Sequence, residues 1–127
     1  MVSGTTHRAL TVQEHVQLLG WALVNAACEE VVFRGLVRGE LYALWYDVGL
    51  PSPRQHAITN VVQASIFGIG HYYGIPSGWT GVGLTFVYGG LMGLLADTGH
   101  GLFWPIVAHC LADYYIFAAI ARRKLKD

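Results

Sequence analysis

Apolar residues fill most of this chain in long runs, and polar residues interrupt the runs at only a few places. The stretch from about Thr11 to Trp45 contains no proline. It opens amphipathic at Glu14, His15 and Gln17, is apolar from Leu18 to Cys28, and then carries Glu29, Glu30, Arg34, Arg38 and Glu40. This pattern predicts one long helix with a kink near Gly35 or Gly39. The segment DVGLPSPR, Asp47 to Arg54, must break it, because two prolines and a glycine cannot continue a helix. Ser52 before Pro53 reads as an N-cap, and a second helix is expected from about Pro53 to Tyr72. GIPSGWTG, Gly74 to Gly81, reads as a loop, followed by a third helix from about Thr80 to Ala96. DTGHG, Asp97 to Gly101, reads as a turn, followed by a fourth helix from about Leu102 to Ala121. Gly81, Gly83, Gly89, Gly90 and Gly93 permit close helix contact, with Gly89 and Gly93 in a GxxxG arrangement. There is no internal repeat and no low-complexity stretch.

Charge placement sets the protein class. From Gln55 to Ala96 there is no Asp, Glu, Lys or Arg, and from Thr98 to Ala121 the one such residue is Asp113. A spanning helix needs about 20 mostly apolar residues, so the second half alone accommodates three spans. A soluble helical bundle needs a polar face on each helix, and these segments have none. The expected architecture is all-α: an integral membrane bundle of about four transmembrane helices. Composition agrees, with 54% apolar and 13% charged residues and a mean hydropathy of +0.41. Typical soluble domains run about 45–50% apolar and about 25% charged. Disorder is excluded on the same grounds. Eight Lys/Arg balance eight Asp/Glu, so the basic footprint of a nucleic-acid binder is missing. The length suits one membrane-embedded domain, residues 1–127.

Cys28 and Cys110 make no disulfide framework and read as small buried apolar residues. The segment MVSGTTHRAL has no signal-peptide core, and the terminal KLKD is no prenylation motif. Arg122, Arg123, Lys124 and Lys126 follow the last span, which predicts a cytoplasmic C-terminus, and four spans put the N-terminus on the same side.

The informative residues are ionisable groups inside apolar runs, each costing about 2.5–3.5 kcal/mol at mid-bilayer on insertion scales. Glu30 and Arg34 are four apart, acid first, the order that favours a helix ion pair. Glu29 points about 100° away from Glu30, and Val32 and Phe33 at i+3 and i+4 offer it no partner. It must reach another helix, take up a proton or bind a metal. His71 ends the run Phe67-Gly68-Ile69-Gly70-His71. His109 and Asp113 share one face of the last segment, one turn apart. One carboxylate and two imidazoles suit hydrolysis, either by activating water directly or by holding one zinc ion with an open position. H-E-x-x-H, G-x-S-x-G and P-loop signatures are absent. His7, His15, His56 and His100 read as tail, helix-surface or loop residues without a role.

Taken in order, EEVVFR (Glu29 to Arg34), FGIGH (Phe67 to His71) and HCLAD (His109 to Asp113) resemble the EExxxR, FxxxH and Hxxx(N/D/B) motifs of the CPBP family. This family, also called Abi, comprises CAAX proteases and bacteriocin-processing enzymes and includes the type II CAAX prenyl endopeptidases. The resemblance covers residues 29–113. It implies a transmembrane helical bundle with a polar cavity open to the cytosol, and a metalloprotease-type activity hydrolysing a peptide bond. It also implies membrane-associated or prenylated protein substrates, or a link to bacteriocin immunity, and by analogy a bacterial plasma membrane. By the same resemblance Glu29 is the acid that activates water, assisted by His71. His109 and Asp113 complete the site and its oxyanion hole, with Glu30, Arg34 and Phe67 in support. Zinc held by Glu29, His71 and His109, and less readily by Asp113, is an expectation of this reading. The family's prenyl proteases commonly carry Asn where this chain has Asp113, and an ionised Asp cannot donate to an oxyanion.

Two readings from other classes stand beside this one. The first is a non-catalytic scaffold or immunity-type protein that keeps the polar core for folding. The second is an ion or proton pathway, against which the lack of repeat symmetry counts. Recruitment of cavity walls by oligomerisation is a further expectation.

Overall fold

The computed structural model describes residues 9–124, and those residues form helices with no strand. The polar N-terminal tail with His7, and Lys126 of the basic cluster, lie outside the described residues. Helix α1 spans Val12–Glu30 and runs without interruption through a π-helical segment, Val31–Val37, into α2, Arg38–Asp47. A capping box starts α1: the Glu14 N–H donates to Thr11 Oγ1 at 3.2 Å, and the Thr11 N–H donates to the Glu14 carboxylate at 2.7 Å. Helices α3, Ser52–Gly70, α4, Gly78–Thr98, and α5, Phe103–Lys124, follow. The expected N-cap at Ser52 is displaced by one residue. Pro51 occupies that position, and Ser52 opens the helix.

Near Gly35, where a kink is expected, the rod takes a π-helical segment and continues into α2. An α-helix advances about 40° every four residues, so positions four apart drift around the rod. The wider π turn, with its i→i+5 bonds, absorbs that drift. Glu30, Arg34 and Arg38 consequently stay in one buried row facing α4. Arg34 donates to the Gly89 carbonyl at 3.0 Å, and Arg38 donates to the Gly93 carbonyl at 3.1 Å.

Two helix pairs build the bundle. Ala22 and Ala26 on α1 pack against Cys110 of α5, flanked by Tyr114 and Phe117, and small side chains let the rods approach closely. On α3 and α4, glycines make the contact. A Cβ at Gly68 meets the Val82 carbonyl at 2.8 Å, and one at Gly89 meets the Phe67 ring at 3.0 Å. A Cβ at Gly93 runs into the Asn60 amide, whereas Gly83 and Gly90 face open space.

Among the described residues, three rods are long and apolar enough to cross a membrane: Val12–Asp47, Gly78–Thr98 and Phe103–Arg123. Helix α3, which the sequence reading counts as a span, is outside that set, because its polar residues dilute it. They point inward: Thr59 and Gln63 are fully buried, and Gln63 and Asn60 donate to the Gly89 and Gly90 carbonyls. The outer surface carries the apolar side chains instead, among them Leu23, Val24, Leu36, Leu91, Leu94, Leu111 and Ile116. Apolar residues outside and polar residues inside suit lipid as the solvent. Cys28 corrects one expectation. It is exposed on this surface, while Cys110 is buried, and both are free thiols.

Candidate active site

Glu29 and Glu30 close α1 just before the π-helical segment. His71 sits immediately after α3 as its C-cap, so the loop that follows, not the helix interior, carries it. His109 and Asp113 lie one turn apart in α5. The structure brings these five acids and bases, from three separate sequence segments, into one cluster. Glu29 Oε2 stands 3.7 Å from His71 Nε2 and 3.5 Å from His109 Nε2. That oxygen is buried and accepts no hydrogen bond.

Neighbouring atoms fix the state of each imidazole. His71 Nδ1 lies 2.8 Å from the Phe67 carbonyl, which only accepts, so Nδ1 carries the hydrogen. His109 Nδ1 lies 2.7 Å from Glu30 Oε1 and donates to it in the same way. In the neutral rings both Nε2 atoms therefore present lone pairs toward Glu29. Glu30 is held in turn by Arg34 at 3.0 Å, with both side chains fully buried. The Arg34 guanidinium lies 4.6 Å above the Phe67 ring, and Phe67 packs on His71 and His109 with ring centroids 4.4 and 6.1 Å apart. The expected Glu30–Arg34 pair is thus present, and it also orients His109.

Asp113, on the same helix face as His109, is tied to Asn25 instead. Its Oδ1 is 3.7 Å from His109 Nε2, whereas its Oδ2 accepts a 2.9 Å hydrogen bond from Asn25. The same Asn25 amide donates to Glu29 Oε1 at 3.2 Å. Glu29 therefore has a partner one turn back along its own helix, at i−4. Sequence reasoning missed it by testing only positions ahead of Glu29, and the i−4 spacing was the available signal. Tyr88 was also missed. Its ring stands edge-on to His109 with centroids 5.4 Å apart, and its hydroxyl is buried without a partner. An aromatic residue in a glycine-rich span carries no sequence mark of such a role.

A cavity of about 470 Å³ opens beside this cluster. Asn25, His71, Thr85, Tyr88, His109 and Asp113 supply its polar lining, and Leu84, Ile116, Phe117 and Ile120 much of the rest. One carboxylate and two imidazoles with outward lone pairs are the right donor chemistry for zinc. As arranged, however, no group of three or more His, Cys, Asp or Glu among the described residues is placed to hold a metal ion.

The remaining histidines stand apart from the cluster. His15 meets the Tyr114 hydroxyl at 2.8 Å, His56 meets the Tyr42 hydroxyl at 2.8 Å, and His100 is exposed in the α4–α5 turn with a positive φ of 52°.

A multi-pass helical membrane protein with carboxylates and imidazoles gathered in its interior is the class these features define. The chain matches the family model described as type II CAAX prenyl endopeptidase Rce1-like over residues 11–115, and it belongs to that family. Neither a curated protein nor a solved structure matches it.

Proposed function

We propose that this protein is an intramembrane endopeptidase in which Glu29 and the two histidines activate water against a peptide bond. The supporting observation is the unpartnered, buried Glu29 Oε2 facing the Nε2 atoms of His71 and His109. A water between them donates one hydrogen to Glu29 and the other to an imidazole, leaving its oxygen lone pair for the substrate carbonyl. Attack gives a tetrahedral intermediate. Glu29 then passes its proton to the leaving nitrogen as the carbon–nitrogen bond breaks, giving an amine and a carboxylic acid, which loses its remaining proton to the released amine. Glu30 and Arg34 keep His109 in the required tautomer, and Phe67 buttresses His71 and Arg34. Substrates are membrane-associated proteins or peptides, prenylated CAAX proteins among them, that enter the apolar side of the cavity. We assign the protein to a bacterial plasma membrane with the basic C-terminus cytoplasmic, and oligomerisation would complete the cavity walls.

Cleavage of a peptide library containing farnesylated CAAX peptides, by the protein in liposomes, tests this reading. Wild type is expected to cut, and Glu29→Gln and His71→Ala to stay folded and inactive. Chelation followed by zinc addition decides the expected metal: loss and recovery of cleavage support zinc at Glu29, His71 and His109, and unchanged cleavage supports direct activation. If folded Glu29→Gln retained the wild-type rate, the scaffold reading would replace this one.

A further inference from the structure

Hydrolysis of an amide needs a hydrogen-bond donor for the carbonyl oxygen as it turns into an alkoxide. The polar groups lining the cavity can be taken in turn. Asn25 donates to the carboxylates of Glu29 and Asp113. Thr85 Oγ1 donates to the Gly81 carbonyl at 2.7 Å, one turn back in α4. The Nδ1 hydrogens of His71 and His109 are held by the Phe67 carbonyl and Glu30. Asp113 accepts from Asn25 and, when ionised, has no hydrogen to give. Tyr88 is left. Its hydroxyl is buried and makes no hydrogen bond, the residue lines the cavity, and its ring stands edge-on against His109.

A buried hydroxyl is normally paired, and one left unpaired inside a site calls for a reason. We infer that the Tyr88 hydroxyl is the donor that binds the scissile carbonyl oxygen and stabilises the oxyanion, the task that an ionised Asp113 cannot perform. The proposal rests on the peptidase reading above. Tyr88 keeps its proton throughout, so it acts by hydrogen bonding alone. The ring contact sets Tyr88 against the same imidazole whose Nε2 faces Glu29 Oε2, and Tyr88 and His109 both line the cavity.

The test uses the full chain in liposomes with a peptide that the wild type cleaves and a phosphinate isostere of that peptide as the tetrahedral mimic. Tyr88→Phe removes one oxygen and keeps the ring. Its kcat is expected to fall about 10²-fold, with KM changed little and the phosphinate bound correspondingly more weakly. Tyr88→Phe within threefold of wild type in both kcat and phosphinate affinity, while Glu29→Gln is inactive, overturns the Tyr88 assignment and leaves the peptidase reading standing. No cleavage of any library peptide by folded wild type overturns both. Should Tyr88→Phe unfold, Tyr88→3,5-difluorotyrosine keeps the hydroxyl and makes it a stronger donor. Tighter phosphinate binding then supports the assignment, and unchanged binding overturns it.

Discussion

Two buried arginines, one turn apart in the π-helical segment and the start of α2, organise two polar centres that look alike in composition and differ in how completely they are satisfied. Arg38 bonds to the Gly93 carbonyl, to Tyr42 at 3.0 Å and to Asp97; Tyr42 in turn meets His56. Its outer members reach solvent, with Asp97 29% and His56 59% exposed at the side chain. Arg34 bonds to the Gly89 carbonyl and to Glu30, and Glu30 to His109. Around that second centre, Glu29 Oε2, Glu30 Oε2, Arg34 Nε and the Tyr88 hydroxyl are buried with no hydrogen bond, against Arg38 Nε alone in the first among the described residues. A carboxylate that water can reach is an adequate partner for structural purposes. Sealed, unpaired oxygens beside a cavity carry a standing cost, and such groups persist where a reacting molecule supplies the missing partners. Composition would rank the two centres equally, and hydrogen-bond saturation separates them.

The largest effect expected from breaking this contrast is on rate. Glu29→Gln should lower cleavage about 10³-fold, within the range for loss of a general base, with an unchanged unfolding midpoint in detergent. Asp97→Asn should do the reverse, lowering the midpoint and leaving the rate near wild type. Stability separates the arginines next. Arg34→Met strands Glu30, which has no exposed surface, and should cost about 3–5 kcal/mol. Arg38→Met leaves Asp97 partly solvated, and the loss of charged hydrogen bonds should cost about 1.5–3 kcal/mol. Equal losses for both arginines would erase the distinction. The smallest effect concerns the α3–α4 contact that both centres lean on. Gly68→Ala drives a Cβ into the α4 backbone and should cost about 1–3 kcal/mol. Gly90→Ala faces open space and should stay within about 0.5 kcal/mol of wild type.

Much of this was legible in the sequence, and the limits have physical causes. Glu29, His71, His109 and Asp113 betrayed themselves because charge in an apolar run is expensive, and they do meet in space. The i,i+4 rule found Glu30–Arg34 for the same reason. Asn25 and Tyr88 escaped because neutral polar side chains carry little insertion cost and so leave a weak mark. The Arg38–Asp97 pair joins residues far apart in the chain, beyond the reach of any local spacing rule. The π-helical segment is also invisible to pattern reading, since the seven residues of Val31–Val37 make too few turns to reveal a period. Helix α3 misled for a different reason: freedom from charge says nothing about which face its amides and hydroxyls take.

The unbroken rod of α1, the π-helical segment and α2 contains 36 residues, about 50 Å at helical rise. The hydrocarbon layer is about 30 Å thick, and even a tilt of about 40°, at the upper end of what spanning helices adopt, leaves several ångströms of the rod outside it. With Arg38, Glu40 and Asp47 in α2, that end belongs in the headgroup layer. The solvated Arg38–Asp97–His56 centre then works as a depth gauge. At the lipid boundary it would hold Glu29 about 13 Å further along the rod, so bilayer thickness itself becomes a variable that sets how deep the Glu29–His71–His109 cluster lies.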